Sequence, residues 1–262
     1  MVYILLPSYN EEVALPILLK KIKKVMKKCG YNYKIIVIND GSNDKTADIL
    51  SEIGSQFSLE VINHKLNRGL GETIRDAFER VAEISSPDDI IIRMDADNTH
   101  DPKYIPELIK KINSGHDIVI TSRFQKGGKM VGVNAYRTFI SICANTLMKF
   151  FFPIKNVRDY SCGFRAYKGR IIHDAIKIFG NDFINLKGMG FTCTVEKIIK
   201  FQMLGAKMAE IPFCLNYDRK DSDSKMITGI TTLGYLVLIL KYIYPWGKDG
   251  KRVKKEIKKL KK

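Results

Sequence analysis

Apolar and polar positions follow two alternating patterns in the first 122 residues of the chain. Short runs rich in Val and Ile, such as KIIVIND and DIIIRM, alternate with longer segments of helical periodicity. This alternation is typical of β-α units and predicts an α/β fold with a mainly parallel sheet. The predicted strands are 2–6, 34–40, 59–64, 89–94 and 117–122. The predicted helices are approximately 12–28, 44–54, 70–84 and 103–113.

Residues at the element boundaries agree with these assignments. Asp44 or Asn43 can cap the second helix, and Pro16 suits a first helical turn. Pro102 opens the fourth helix after Asp101. The strands end in small or polar stretches: PSYNE, NDGSND, HKLNRG, DADNTH and SRF. Because ligands bind beyond the carboxyl ends of strands in open α/β sheets, we expect the functional site at this edge.

Two segments after residue 130 are unusually apolar helical candidates, at 135–152 and 226–244. The first contains Arg137, Asn145 and Lys149, and the second a lysine among several Thr and Gly residues. A transmembrane helix needs about 20 mainly apolar residues, so neither segment is a clean span. We predict helices that lie on a bilayer surface, with ordinary buried helices as the alternative.

The charge of the chain is concentrated at its end. The 262 residues include 44 Lys and Arg against 28 Asp and Glu, a net charge of +16. The last 18 residues hold nine Lys and Arg against two Asp and Glu, which places +7 there. A basic excess attracts nucleic acid or anionic lipid, although a solvated terminus has the same composition.

Cysteine usage and the N-terminal residues both favour a cytosolic protein. The five cysteines are scattered and form no C-x-x-C pair, so we expect reduced, mostly packed thiols. The start, MVYILLPSYNEE, has no basic region before its short apolar run. We therefore do not expect a cleavable signal peptide.

The candidate chemistry lies in MDADNTHDP, at residues 94–102, directly after an apolar strand. Alternate side chains of an extended backbone point the same way, so Asp95 and Asp97 can converge on one divalent cation. Carboxylate oxygens suit Mg²⁺ or Mn²⁺, whose remaining positions water and phosphate oxygens commonly fill. The pair therefore predicts a phosphate-bearing substrate. Surface solvation, or helix capping by Asp101, is the alternative.

A glycine-rich phosphate loop is absent from the sequence. Neither G-x-x-x-x-G-K-[ST] nor a strand-linked G-x-G-x-x-G occurs, and RGLGE at 68–72 is too short. This disfavours kinases, P-loop NTPases and nicotinamide dehydrogenases.

Seven motifs together resemble family-2 glycosyltransferases of GT-A fold. They are PSYNE, NDGSND, NRGLG, DAD, SRF, DYSCGFRAYK and DRKDSDSKM, in the order found in that family. The second half is similar to polyprenyl-phosphate hexosyltransferases, including dolichyl-phosphate mannose synthases. The resemblance spans about residues 2–244.

This resemblance implies a donor site and a metal site. The implied donor-binding residues are Pro7, Tyr9, Glu11, Ile38, Asp40, Asp95, Ala96, Asp97, Lys187, Arg219 and Lys225. Asp40 would read the base, while Asp95 and Asp97 would hold Mg²⁺ or Mn²⁺ on the donor diphosphate. Thr99 occupies the position of a third metal ligand, with His100 as a substitute.

The resemblance also implies an acceptor site and a catalytic group. Arg123, Arg137 and Ser141 match positions that bind the phosphate of a lipid acceptor. The implied catalytic residues are Asp97, Arg219 and Lys225. Two positions depart from the family pattern, because Cys162 replaces a serine and Ser222 replaces a glycine.

The kind of acceptor follows from the chemistry of the nucleophile. A hydroxyl acceptor needs a general base, whereas a phosphomonoester, with a second pKa near ~6, is already ionised at pH 7. The sequence lacks the ED dipeptide and the Q-x-x-R-W motif expected of hydroxyl-acceptor and processive members. A glycan or other hydroxyl acceptor, with Asp159 as base, is the alternative; a nucleotidyltransferase or a nucleic-acid-binding protein is disfavoured.

We therefore predict an inverting, metal-dependent hexosyltransferase bound peripherally to the cytoplasmic face of a membrane. The donor is GDP-mannose or a UDP-hexose, with mannose favoured over glucose, and the acceptor is polyprenyl or dolichyl phosphate. The predicted organisation is a GT-A domain at 1–225, a membrane-surface helix at 226–246 and a basic tail at 247–262. A membrane subunit is compatible with this sequence but is not indicated by it.

Overall fold

The computed structural model describes residues 1–219, 228–243, 255 and 257–259. Its strands are β1 Val2–Ser8, β2 Tyr33–Asn39, β3 Leu59–Asn63, β4 Ile90–Arg93, β5 Ile118–Ser122, β6 Lys129–Val131, β7 Arg165–Lys168, β8 Met208–Pro212 and β9 Cys214–Asn216. Its α-helices are α1 Ala14–Cys29, α2 Thr46–Ile53, α3 Leu70–Ile84, α4 Ile105–Asn113, α5 Ala135–Phe151, α6 Gly169–Phe179, α7 Thr192–Met203 and α8 Thr228–Tyr242. Single 3₁₀ turns lie at Gly54–Gln56, Pro102–Tyr104, Gly180–Phe183 and Tyr217–Arg219.

The main sheet has seven strands in the order β3-β2-β1-β4-β7-β5-β8. The first four strands of the chain are parallel, as is the β5–β8 pair. Strand β7 is antiparallel to both of its neighbours, β4 and β5. Strands β6 and β9 form a separate parallel pair. The predicted α/β class with a mainly parallel sheet is confirmed.

The central strands are buried on both faces, which is why they read as continuous apolar runs. All residues of β1 and β4 are buried, as are the last five residues of β2. Helices α3 and α4 pack on this sheet through apolar stripes at helical spacing. One hydrophobic cluster therefore extends across the sheet and fixes the strand ends that form the site.

The five predicted strands and four predicted helices are all present, with boundaries shifted by two residues or fewer. Before the fourth helix, α4, lies a 3₁₀ turn at Pro102–Tyr104, and Asp101 caps that turn by accepting a hydrogen bond from the Lys103 N–H at 3.0 Å. The N-cap of α2 is Lys45, one residue after the predicted Asp44, and Asp44 accepts a hydrogen bond from the Thr46 N–H at 2.9 Å. Pro16 lies in the first turn of α1.

The two apolar segments of the second half form α5 and α8, which contact each other. Within the described ranges, none of the helices has the length and hydropathy that crossing a membrane requires. Of the predicted basic tail, only residues 255 and 257–259 are described, and Ile257 packs against the hydrophobic core.

Candidate functional site

A cleft of about 1160 Å³ opens at the carboxyl ends of β1, β2 and β4, the edge at which the sequence predicted a site. The predicted site residues that line it are Pro7, Tyr9, Glu11, Asp40, Asp95, Ala96, Asp97, Thr99, Arg123, Arg137, Ser141 and Lys187. These residues come from both halves of the chain, so the fold brings the predicted donor and acceptor residues to one opening.

Ile38 does not line this cleft. It lies inside β2, fully buried, and pairs with Pro7 of β1 in the parallel ladder. The strand continues to Asn39, and the chain first reaches the cleft at Asp40. Ile38 therefore belongs to the core, and the family-based expectation that it contacts the donor does not match its position.

Asp40 organises the loop between β3 and α3. Its Oδ1 accepts hydrogen bonds from His64 Nδ1 at 2.7 Å and from the Arg68 N–H at 2.9 Å. Its Oδ2 accepts from the Gly69 N–H at 2.9 Å. The second nitrogen of His64 lies 3.0 Å from Asp76 Oδ2, so the imidazole connects Asp40 to α3. Both oxygens of Asp40 are engaged, which fixes its orientation in the cleft.

Asp97 is held by a turn immediately after it. Asn98 adopts a left-handed backbone conformation, with φ of 63°, which Asn tolerates better than most residues. The turn directs the Thr99 N–H and hydroxyl to Asp97 Oδ1, at 3.2 and 2.6 Å. The Thr99 hydroxyl thus donates to the carboxylate. In this arrangement it orients Asp97, and its role as a third metal ligand stays a prediction.

His100 orients the other carboxylate. Its Nδ1 accepts a hydrogen bond from the Asp95 N–H at 2.8 Å, so a neutral ring has its proton on Nε2, 3.5 Å from Asp95 Oδ2. The ring stacks on Phe164, with centroids 5.2 Å apart, and burial lowers the pKa of His100. Neither nitrogen presents a free lone pair, so His100 is not the substitute ligand that the sequence suggested.

The two aspartates fit a cation that a substrate helps to hold. The described part of the chain contains no group of three or more His, Cys, Asp and Glu side chains that could bind a metal by themselves. Mg²⁺ is commonly bound through one or two carboxylates together with substrate phosphates and water. Asp95 and Asp97 line one cleft and supply this kind of donor set.

Arg123 and Asp159 form a buried bidentate ion pair. Arg123 Nε and Nη2 each donate to a different oxygen of Asp159 at 2.7 Å, and Nη2 also donates to Ser161 at 2.6 Å. Although burial opposes ionisation of Asp159, the guanidinium and backbone N–H groups lower its pKa. A fully buried carboxylate with a lowered pKa is a poor proton acceptor, which argues against the general-base role that the alternative hypothesis gives Asp159.

Arg137 and Ser141 lie four residues apart on α5, and both line the cleft. This spacing places them on one face of the helix. Arg137 is exposed, in contrast to Arg123, whose Nε and Nη2 are engaged by Asp159. Asn145, one turn further, donates to the Ser141 carbonyl at 2.7 Å and to Ser161 at 3.1 Å. Asn145 therefore attaches α5 to the loop that holds Asp159.

Lys187 reaches the cleft from the loop before α7. Its Nζ lies 3.1 Å from Glu72 Oε1 of α3. A Cβ on Gly71 would come within 2.6 Å of the Lys187 backbone, so glycine permits this close approach. Arg219 ends the Tyr217–Arg219 turn, while its side chain and all of Lys225 lie outside the described residues.

Comparison with known proteins identifies the family of the chain. The glycosyl transferase family 2 model matches residues 3–176, more than half of the chain. The chain belongs to glycosyl transferase family 2.

Among its relatives, this family 2 chain is 31% identical over 236 residues to a dolichol-phosphate mannosyltransferase of Pyrococcus furiosus, covering 90% of this chain and 61% of that protein. It therefore spans less than two thirds of that relative. It is 29% identical over 227 residues to an undecaprenyl-phosphate mannosyltransferase of Micrococcus luteus, covering 86% and 87% of the two chains.

The fold of the family 2 chain is similar to that of glucosyl-3-phosphoglycerate synthase from Mycobacterium tuberculosis. The crystal structure of that protein with Mn²⁺, UDP and glucosyl-3-phosphoglycerate has a TM-score of 0.63 at 17% identity. The match covers 94% of this chain and 80% of the other. At this identity the likeness concerns the fold alone, and it confirms the GT-A architecture.

Sequence reasoning missed several residues that line the cleft of the family 2 chain. They include Arg93, Gly163, Phe191, Tyr217, Tyr235 and Leu236. Arg93 had a visible signal, because it ends the apolar strand IIIR, where a charge is unexpected. Tyr235 and Leu236 belong to α8, whose approach to the cleft depends on tertiary packing that no local motif reports.

Proposed function

We propose that this protein transfers a hexose, mannose in preference to glucose, from GDP-mannose or a UDP-hexose to polyprenyl or dolichyl phosphate. The reaction inverts the anomeric centre, depends on Mg²⁺ or Mn²⁺, and takes place on the cytoplasmic face of a membrane. The supporting observation is one cleft that joins the Asp95–Asp97 edge to the apolar helices α5 and α8. The relatives named as dolichol-phosphate and undecaprenyl-phosphate mannosyltransferases support the same reaction class.

The donor occupies the sheet edge in this proposal. Pro7, Tyr9 and Asp40 line the part of the cleft next to β1 and β2, where the nucleoside would lie. Asp95 and Asp97 would hold the divalent cation against the donor diphosphate. A bound Mg²⁺ or Mn²⁺ supplies charge stabilisation for a departing nucleoside diphosphate. Lys187 adds a cation at the same opening, and Arg219 and Lys225 are proposed to do so as well.

The acceptor phosphate would lie against α5. Arg137 offers an exposed guanidinium suited to bidentate phosphate contacts, and Ser141 offers a hydroxyl on the same helix face. Arg123 has only its Nη1 left for the acceptor, because Nε and Nη2 bind Asp159. Arg137 is therefore the principal phosphate ligand in this proposal. Arg123 is held in its ion pair with Asp159 and contributes through Nη1 alone.

The nucleophile needs no proton acceptor. A phosphomonoester oxygen is already anionic at neutral pH and can attack the anomeric carbon in line with the leaving diphosphate. A hydroxyl acceptor would need a base, and Asp159, the residue considered for that role, is buried in its ion pair. This contrast favours the lipid phosphate over the glycan acceptor.

The prenyl chain of the acceptor would remain in the bilayer, which the exposed face of α5 and α8 would contact. The large exposed apolar side chains on these helices and just after them are Tyr136, Phe139, Ile142, Leu147, Phe150, Ile230, Leu233, Leu236, Leu240 and Ile243. Phe139 and Leu236 also line the cleft, so the apolar face continues into the site. Contiguous exposed apolar surface of this kind is typical of helices that lie on a membrane.

The deciding experiment offers radiolabelled GDP-mannose and UDP-glucose in parallel to the purified chain. Each donor is supplied with polyprenyl phosphate, with the corresponding prenol, or with a soluble mannoside, in the presence of Mg²⁺ or Mn²⁺. We expect label in polyprenyl-phosphate-linked hexose, mostly from GDP-mannose, and loss of the product with EDTA. Label in the mannoside and none in the lipid phosphate would refute the lipid acceptor, and undiminished transfer in EDTA would refute the metal requirement.

A further inference from the structure

Arg93 is a buried arginine that touches one of the two proposed metal ligands. It is the last residue of β4, and its side chain is only 3% exposed. Its Nη2 lies 2.6 Å from Asp95 Oδ1. Gly163 makes room for it, because a Cβ at that position would collide with Arg93 Nη1. The absence of a side chain at Gly163 therefore leaves room for the guanidinium next to Asp95, at the wall of the cleft.

Two of the three guanidinium nitrogens of Arg93 make no hydrogen bond within the described structure. Nε and Nη2 are both buried without a hydrogen-bond partner, although Nη2 is close to Asp95. The contact is therefore a close ion pair whose geometry is unsuited to a directional hydrogen bond. A buried donor left unsatisfied costs free energy, so such a group in a ligand cleft indicates a missing anionic partner.

The surroundings of Arg93 are short of negative charge. Arg165 faces it directly across the β4–β7 ladder, and two like charges there are unfavourable. Arg165 donates to the Thr194 and Tyr160 carbonyls, at 2.9 and 2.7 Å, so no carboxylate neutralises it in these contacts. Lys197 lies 5.1 Å from the Phe78 ring centroid, and burial lowers its pKa well below the usual value.

Asp95 is therefore shared between two cations when a metal binds. A guanidinium is permanently charged, so it cannot release Asp95 Oδ1 by losing a proton. A divalent cation approaching the same carboxylate meets repulsion from Arg93 and competition for this oxygen. A bound donor diphosphate would reduce this competition for Asp95. Its oxygens can accept hydrogen bonds from the unused N–H groups of Arg93, and its negative charge attracts the cation.

We infer that Arg93 is a positioning residue that makes metal binding depend on the donor. In the free protein it holds Asp95 and lowers the affinity for Mg²⁺ or Mn²⁺. With the nucleoside diphosphate present, Arg93 turns its unused donors to the phosphates, and Asp95 becomes available to the cation. The inference rests on the proposed function, because it takes the two aspartates as metal ligands and a nucleotide sugar as donor.

The test measures Mn²⁺ binding to the full chain by electron paramagnetic resonance at constant pH, with no acceptor and no turnover. Titrations are made without nucleotide, with GDP and with UDP, and are corrected for Mn²⁺ bound by the nucleotide alone. For the wild type we expect one nucleotide to tighten Mn²⁺ binding by roughly tenfold or more, within the usual range of coupling between two sites. For Arg93→Met we expect binding without nucleotide to become about threefold tighter or more, and the nucleotide effect to shrink to less than about threefold.

Two further variants separate this role from a structural one. Arg170→Met is the matched control, because it removes a guanidinium that pairs with Asp117 and does not line the cleft, and we expect it to leave the nucleotide effect within about twofold of wild type. Gly163→Ala keeps the arginine but forces its guanidinium to move, so it should reduce the coupling as Arg93→Met does. Gly163→Ala also tests the inference if Arg93→Met fails to fold.

The outcomes distinguish the two proposals. Equal weakening of Mn²⁺ binding with and without nucleotide in both Arg93→Met and Gly163→Ala would overturn the Arg93 inference and leave the proposed function standing. The same holds if Arg170→Met loses the coupling as fully as Arg93→Met. A wild-type chain that binds no Mn²⁺ with either nucleotide would overturn the metal-dependent function, and the Arg93 inference with it.

Discussion

The donor edge of the cleft and its acceptor edge are built in opposite ways. At the donor edge, Asp40 and Asp97 follow buried strands, and both carboxylates are held by hydrogen bonds from the polypeptide, Asp97 by its own turn and Asp40 by the loop before α3. At the acceptor edge, α5 and α8 present large apolar side chains to the outside, with Phe150 78% exposed and Leu240 82% exposed. The two carboxylates of the first region are therefore oriented by contacts within the chain. The second exposes apolar surface that water disfavours, which is consistent with a lipid partner.

The largest expected effect tests whether the donor edge is the chemical centre. Asp97→Ala should lower hexose transfer by about 1,000-fold or more, because the proposed metal loses a ligand beside the leaving diphosphate. The melting temperature should change little, since Asp97 is only partly buried at the cleft and accepts its hydrogen bonds from Thr99 within its own turn. Asp88→Ala, at a side chain 97% exposed, is the matched control. Turnover near that of wild type in Asp97→Ala would end the metal proposal.

The second test concerns the buried pair that supports the acceptor edge. Asp159→Asn should destabilise the protein by about 3 kcal/mol, measured by urea unfolding at pH 7, since it leaves Arg123 buried without its counter-ion. The folded-state pKa of Asp159 lies below its unfolded value of about 4. The contribution is therefore present above that value and is lost as the pH falls through the folded-state pKa.

The stability difference between wild type and Asp159→Asn should accordingly shrink in acid. Asp88→Asn serves as the control, and its free energy of unfolding should remain near that of wild type both at pH 7 and in acid. A folded Asp159→Asn variant of wild-type stability that has lost activity would instead restore Asp159 as a candidate base.

A smaller effect distinguishes Arg123 from Arg137, which the sequence analysis assigned to the same phosphate-binding role. Arg137→Ala should raise the KM for polyprenyl phosphate by about tenfold, the value of one charge-assisted phosphate contact, and leave the KM for the donor unchanged. Lys149→Ala removes a cation from the same helix that does not line the cleft, so it should have little effect. If both variants raise the KM equally, the contribution of Arg137 is general surface charge and not phosphate binding.

The smallest expected effect tests the apolar face itself. Leu240→Ser should weaken binding to anionic liposomes by about fivefold in a sedimentation assay, because about 1 kcal/mol of apolar burial is lost on partial insertion. Leu66→Ser is a matched control, since Leu66 is 77% exposed but lies in the loop before α3, away from α5 and α8. Equal loss in both variants would show that this face has no special contact with the membrane.

Much of the fold could be predicted because its signals are local. The predicted helix at 70–84 matches α3 residue for residue, since its apolar stripe has clear helical spacing. Strand β7 was not predicted, because four residues, RAYK, give no periodicity that separates a strand from a loop. Its antiparallel insertion between β4 and β5 depends on chain far from it in sequence.

The sequence by itself determined the alternation of strands and helices, the placement of Asp95 and Asp97 at a strand end, and the apolar character of α5 and α8. These follow from periodicity and from neighbours within a few residues. Only the tertiary structure decided that Arg123 is taken by Asp159, 36 residues away, and that Ile38 belongs to the core. It also decided that Arg93 fits beneath Gly163. The physical reason is that the role of a charged side chain depends on the groups that it contacts. In the folded chain, packing across the sheet determines which groups those are.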